Sequence, residues 1–177
     1  MTQPSRRAIV LDTSAFIAGF DPLSFSGEIH SVPSVERELI PNSLPWTRFK
    51  TAVESGRLQL KTPSHAFLER VKESSKTVGD ALVLSAVDLQ VLARALELKH
   101  SGSSPLIVTD DYSIQNVANQ LGIEFTSLMT FGIRFQHHWI MYCPACYRKY
   151  PPNYKSEVCE VCGTKLKRKP LTKTLVR

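Results

Sequence analysis

PLIVTDDYSIQNVANQLGIEF, residues 105–125, is the stretch that decides how the chain is read. PLIVTD has the apolar run of a buried strand. YSIQNVANQLG has helical spacing and closes on Gly122, and IEF reads as another strand. A strand, a helix and a strand within so few residues make one turn of an α/β winding.

Working outward, the same alternation repeats. SAVDLQVLARALELKH, just before this unit, is the clearest helix, with Leu89, Leu92, Ala93 and Leu96 on one face. Further back, HAFLERVKESSK reads as a helix and RLQLKTP as a strand. WTRFKTAVESG and SVERELI have helical spacing, EIHSVP and RAIVLD are strand-like, and TSAFIAGF is a short helix. Repeated β–α alternation predicts an α/β fold, a parallel sheet covered by helices. It ends near residue 130. Residues 131–142, FGIRFQHHWIMY, read as a connector that becomes a strand. The expected division is 1–130, 131–142, a cysteine-bearing ribbon over 143–169, and a basic tail over 170–177.

Charge follows that division. Residues 1–133 carry 12 Lys+Arg against 14 Asp+Glu, and residues 134–177 carry 10 against 2. The whole excess of the +6 chain is therefore in its last quarter, which points to an anionic partner such as RNA. With 42% apolar and 21% charged residues the composition is that of a globular protein. No run approaches the roughly 20 apolar residues of a membrane span. Ala8–Leu11 is too short for the core of a signal peptide, so the expectation is a cytoplasmic protein with no membrane partner.

Two strands end on carboxylates: Asp12 after IVL, and Asp110, with Asp111 beside it, after LIVT. In open parallel sheets, ligands bind beyond the carboxyl ends of the strands. Asp88 and Glu36 lie early in two helices and join this edge if those helices start there. Converging carboxylates need a cation, and an all-oxygen set suits Mg²⁺ or Mn²⁺. Each acid also has a structural reading. Asp12 or Asp110 can cap the helix that follows, Ser85 and Asp88 have the spacing of a capping box, and Glu36 suits a helix's first turn.

CPACYRKYPPNYKSEVCEVC is the strongest local signal. It gives Cys143-x2-Cys146, 12 residues, then Cys159-x2-Cys162. Two such pairs offer four thiolates to a tetrahedral Zn²⁺, a filled and therefore structural site. Two disulfides are the alternative, disfavoured in a reducing compartment. Gly163 suits a turn needing positive φ; Tyr147 stands at the matching place after the first pair. Arg148, Lys149, Lys155, Lys165, Lys167, Arg168 and Lys169 are interleaved with Tyr147 and Tyr150. That mixture suits phosphates and stacked, unpaired bases, although one or two tyrosines can instead fill the ribbon's small core.

Taken together, VLDTSAFI, VPSVERELI, LSAVDLQVLARALEL and VTDDYSIQNVA resemble the four acidic motifs of the PIN nuclease domain, in order, over about residues 6–130. The resemblance implies metal-dependent hydrolysis of phosphodiesters, leaving a 5′-phosphate and a 3′-hydroxyl. Asp12, Glu36, Asp88 and Asp110 would be the metal-binding acids, assisted by Asp111, Thr13 or Ser14. Such domains often pair. With the ribbon included, nearly the whole chain resembles the endonucleases that trim the 3′ end of small-subunit ribosomal RNA, in a compact archaeal form. That implies single-stranded precursor rRNA and an immature small ribosomal subunit as partners. Two other readings stay open: another PIN-type RNase of the toxin kind, and a non-catalytic RNA-binding protein whose acids are caps.

Overall fold

The computed structural model describes residues 6–81, 83–129 and 135–175. Residues 131–134 of the expected connector and 176–177 of the expected tail lie outside them. Five strands form one parallel sheet: β1 (Arg7–Leu11), β2 (Glu28–Ser31), β3 (Leu58–Leu60), β4 (Ser104–Val108) and β5 (Glu124–Thr126). Their order is β3-β2-β1-β4-β5. The first strand is thus the central one. Ala8, Ile9, Val10 and Leu11 are all buried, as expected of a strand covered on both faces.

The covering helices are α1 (Thr13–Ile17), α2 (Leu44–Glu54), α3 (His65–Val78), α4 (Ala86–His100) and α5 (Tyr112–Gln120). Phe16 of α1 meets Phe49 of α2 edge to face at 5.3 Å. Helix α4 carries the longest buried run, Val91 to Leu96. Its start is fixed by a complete capping box: Ser85 Oγ accepts from the Asp88 N–H, and Asp88 Oδ2 accepts from the Ser85 N–H. Helix α3 ends on Gly79 at φ 81°, the left-handed cap that glycine adopts without strain.

One element differs from expectation. Pro33–Glu38, read as helical from SVERELI, is a 3₁₀ helix with Pro33 at its start. Three residues per turn place residues 36 and 38 about 120° apart around its axis.

A second, antiparallel sheet follows, β6 (Phe135–Tyr142), β7 (Lys149–Tyr150) and β8 (Lys167–Leu175), in the order β7-β6-β8. Much of the stretch read as a connector is thus β6, and most of the stretch read as a tail is the end of β8. The two pair from Phe135↔Leu175 to Tyr142↔Lys167, with an irregularity between His138 and Trp139. Pro170 sits opposite Trp139 on edge strand β8, where a residue without an N–H is tolerated. The small sheet has its own core of Cys143, Tyr150, Cys159 and Leu166. Strand β6 packs on α3 and α5. Among the described residues no helix is long and apolar enough to cross a membrane.

Candidate active site and metal centre

The strand order reverses between β1 and β4, and a ligand crevice opens at such a switch point. Asp12 follows β1 there and Asp110 follows β4. Asp12 occupies the cap position of α1, yet its side chain makes no capping bond. Its Oδ2 instead accepts from Ser14 Oγ at 2.8 Å and Thr109 Oγ1 at 2.9 Å. Asp12 is 3% exposed. Burial pushes its carboxyl above the ordinary carboxylate range, the hydrogen bonds from Ser14 and Thr109 oppose the rise, and the charge of Asp88 adds to it.

Ser14 also accepts from the Asp110 N–H at 3.0 Å, which ties the two strand ends together. Asp110 Oδ1 is held by the N–H groups of Leu128 and Met129 at 3.2 and 3.0 Å and by the Ser127 hydroxyl. Asp111, not Asp110, caps α5, accepting from the Ser113 N–H at 2.6 Å. The capping alternative thus describes Asp88 and Asp111. It does not describe Asp12 or Asp110.

Glu36 is placed differently from the sequence reading. It pairs with Lys50 of α2 at 3.1 Å. The acid that reaches the Asp12 segment is Glu38, which accepts from Thr13 Oγ1. The tight 3₁₀ turn is the reason, because the two glutamates cannot face the same way. Sequence reasoning missed Glu38, and it also missed Thr109, whose hydroxyl donates to Asp12 and accepts from the Asp111 N–H at 3.1 Å. The signal for Glu38 was Pro33, five residues before it, since proline opens short tight turns as readily as α-helices.

The acids near the switch point offer oxygen donors only, and Asp12 is a buried carboxyl that resists ionising alone, a chemistry that fits a hard divalent cation. Among the described residues the acids do not form a closely gathered ligand group.

The four cysteines do form such a group, with all sulfurs within 4.8 Å of one another. Cys143 and Cys162 sulfurs stand 3.4 Å apart and those of Cys146 and Cys159 3.5 Å, near the ~3.8 Å edge of a tetrahedron with zinc–sulfur bonds. The two cysteine pairs sit on equivalent turns. Cys143 N–H donates to Arg148 O and Tyr147 N–H to Cys143 O; Cys159 N–H donates to Thr164 O and Gly163 N–H to Cys159 O. Gly163 has φ 69° and Tyr147 φ 61°, so the tyrosine adopts the left-handed turn that its partner fills with glycine. A hydrogen bond with the Tyr150 hydroxyl at 3.0 Å draws the Cys159 thiol down to about 6, favouring the thiolate that a metal needs.

The basic residues divide. Tyr147, Lys149, Lys155 and Lys167 are exposed. Arg148 pairs with Glu160 and Lys165 with Glu157 at the surface, and Lys169 lies over the Tyr142 ring. Two expected RNA contacts point elsewhere. Tyr150 is buried in the small core against Tyr154, because its ring is needed to cover the sulfurs. Arg168 turns inward to Asp80 at 2.7 Å.

Comparison with known proteins supplies the family. Residues 9–98 match the family model for the PIN domain of ribonuclease. The chain is 36% identical to Endoribonuclease Nob1 of Methanocaldococcus jannaschii, over 90% of this chain and 76% of that protein. It is 37% identical to Endoribonuclease Nob1 of Methanothermobacter thermautotrophicus, over 90% and 91%. It is also 36% identical to Ribonuclease VapC1 of Thermoplasma acidophilum, over 90% and 76%. That alignment spans 159 residues, so it cannot be confined to the nuclease sheet. With its acids at the switch point and its four-cysteine cluster, the chain belongs to the PIN-domain endoribonucleases of the Nob1 type.

Proposed function

We propose that this endoribonuclease cleaves single-stranded precursor RNA at the 3′ end of small-subunit rRNA, in a Mg²⁺- or Mn²⁺-dependent reaction, on an immature small ribosomal subunit in the cytoplasm. The observation that carries the reading is Asp12: a buried carboxyl that does not cap its helix, at the reversal of strand order. Asp12, Asp88, Asp110 and Glu38 are the acids that would hold the cation, Glu38 in the place first assigned to Glu36. Ser14 and Thr109 hold the Asp12 carboxyl, and Thr13 holds Glu38. The chemistry that a divalent cation would supply there is polarisation of the phosphodiester and acidification of an attacking water. The cysteines hold a structural zinc. Lys149, Lys155, Lys167 and Tyr147 offer charge and a stacking face to the RNA, with Arg148, Lys165 and Lys169 at their margin.

Cleavage of a short RNA spanning the mature 3′ end tests this. Wild type cuts once near that end with Mn²⁺ or Mg²⁺. Asp12→Asn and Glu38→Gln lose about 100-fold or more, as loss of a supporting group at a metal site does. Glu36→Gln stays close to wild type, because an exposed ion pair contributes under about 1 kcal/mol. The reverse order for the two glutamates would return Glu36 to the site. Ribonuclease VapC1 among the relatives supports a second reading, a toxin-type RNase. Cuts scattered over unrelated RNAs, with no preference for the rRNA end, would favour it.

A further inference from the structure

Neither the acids nor the cysteines use Asp80, yet it is 2% exposed. It lies between Gly79, the cap of α3, and the segment leading to α4. Its Oδ2 accepts from Asn116 Nδ2 of α5 at 2.5 Å, and its Oδ1 accepts from Arg168 Nη2 of β8 at 2.7 Å. Its carbonyl accepts from the Val83 and Leu84 N–H groups, just ahead of the Ser85–Asp88 capping box. One residue thus joins the nuclease helices, the approach to Asp88 and the second sheet.

Arg168 is fixed from its other side. Its guanidinium carbon lies 4.6 Å from the centre of the Trp139 ring. Trp139 in turn lies against the α3 cap so closely that a Cβ on Gly79 would stand 2.8 Å from the Trp139 carbonyl oxygen. Only glycine fits there, at φ 81°. Without Arg168 the desolvated Asp80 carboxylate would be a buried charge with no cation to compensate it, whereas the Arg168 side chain keeps 22% exposure. Strand alternation sends Lys167 and Lys169 to the face opposite Arg168.

We propose that Arg168 is a positioning residue: paired with Asp80, it clamps the metal-bearing sheet to the nuclease layer, so that RNA held on that sheet reaches the acidic edge in one register. The clamp rests on the RNA-cleavage reading given above. Its chemistry is separate, because Arg168 touches no reacting atom.

The test uses the full chain with its zinc, and two RNAs. One is long enough to span both sheets; the other is a few nucleotides around the cut. Arg168→Met and Asp80→Asn should each lower kcat/KM on the long RNA, by up to about 100-fold as expected for substrate misplacement, and spread its cuts over neighbouring phosphates. Cleavage of the short RNA stays at the wild-type rate. The double variant is no worse than the worse single one, as for two residues acting as a unit. Arg168→Lys recovers most of the cut position. Cleavage of the long RNA by Arg168→Met at the wild-type position and rate would overturn the clamp. So would weaker long-RNA binding with the cut position unchanged and the salt slope reduced by about 1, the mark of a simple phosphate contact. If Arg168→Met does not fold, the near-isosteric Asp80→Asn carries the same readouts. If wild type cuts neither RNA, the functional reading falls. X-ray scattering then decides the clamp: a larger, broader particle in the variants supports it, and an unchanged one overturns it.

Discussion

Asp12 illustrates how a functional residue opposes the fold that holds it. Its burial raises its pKa, so the native state holds that proton more tightly than the unfolded chain does. Stability contributed by the protonated form is then lost as pH rises from 3.8, the ordinary aspartate value, through the native pKa. At neutral pH, without a cation, the ionised group is a net penalty. Asp12→Asn should therefore raise the melting temperature of the metal-free protein, by about 2–4 °C for each ~1 kcal/mol relieved, while destroying cleavage. Adding Mn²⁺ should stabilise wild type and leave Asp12→Asn unmoved. A metal-free melt in which the variant is less stable than wild type would show that the charge is well accommodated. Asp12 and Asp110 were legible in the sequence because each ends an apolar run. Glu38 was not, because choosing between two glutamates two residues apart needs the pitch of the turn, and pattern alone did not separate a 3₁₀ turn from an α-helix.

At the level of elements, β2 and α4 meet through a buried polar contact. His30 Nδ1 lies 3.2 Å from Arg94 Nη2, and Arg94 Nη1 donates to Glu97 at 2.5 Å. Burial and then the Arg94 charge push the His30 imidazole below its usual 6.5; Glu28 opposes them and Lys61 adds to the fall. The unfolded chain thus takes up a proton before the native one does. Stability is full above about pH 6.5 and is lost as pH falls from there toward the native pKa, at most about 1.4 kcal/mol per pH unit. Melting curves between pH 7.5 and 5.5 should show that slope, and His30→Gln should flatten it. A slope equally steep in the variant would place the titration elsewhere. The alternating elements of the nuclease sheet were readable because apolar period, Gly caps and strand length agreed. β6 and β8 were not readable as partners. KRKPLTKTL is cationic and contains Pro170, the pattern of a tail, and its pairing is set by a distant strand across the metal loop.

Considered whole, the molecule is two sheets of very different self-sufficiency. The nuclease sheet has a large continuous core. Among the described residues the smaller sheet has a buried cluster of four, two of them cysteines, so little a core that a metal on the four sulfurs would supply much of its stability. Treatment with a strong chelator should abolish RNA binding and open residues 143–166 to protease, while circular dichroism still reports the α/β layer. A ribbon that stays protected without metal would mean that contact with α3 and α5 suffices.

The central place of β1 also has a consequence in time. Asp12 is made early, but Thr109, whose hydroxyl fixes its carboxylate, follows 97 residues later. At about 5–20 residues per second, the first acid waits many seconds on the translating ribosome before its edge can close. The two acids that end β1 and β4 therefore cannot act together on RNA until at least Asp110 has been added, about three-fifths of the way along the chain.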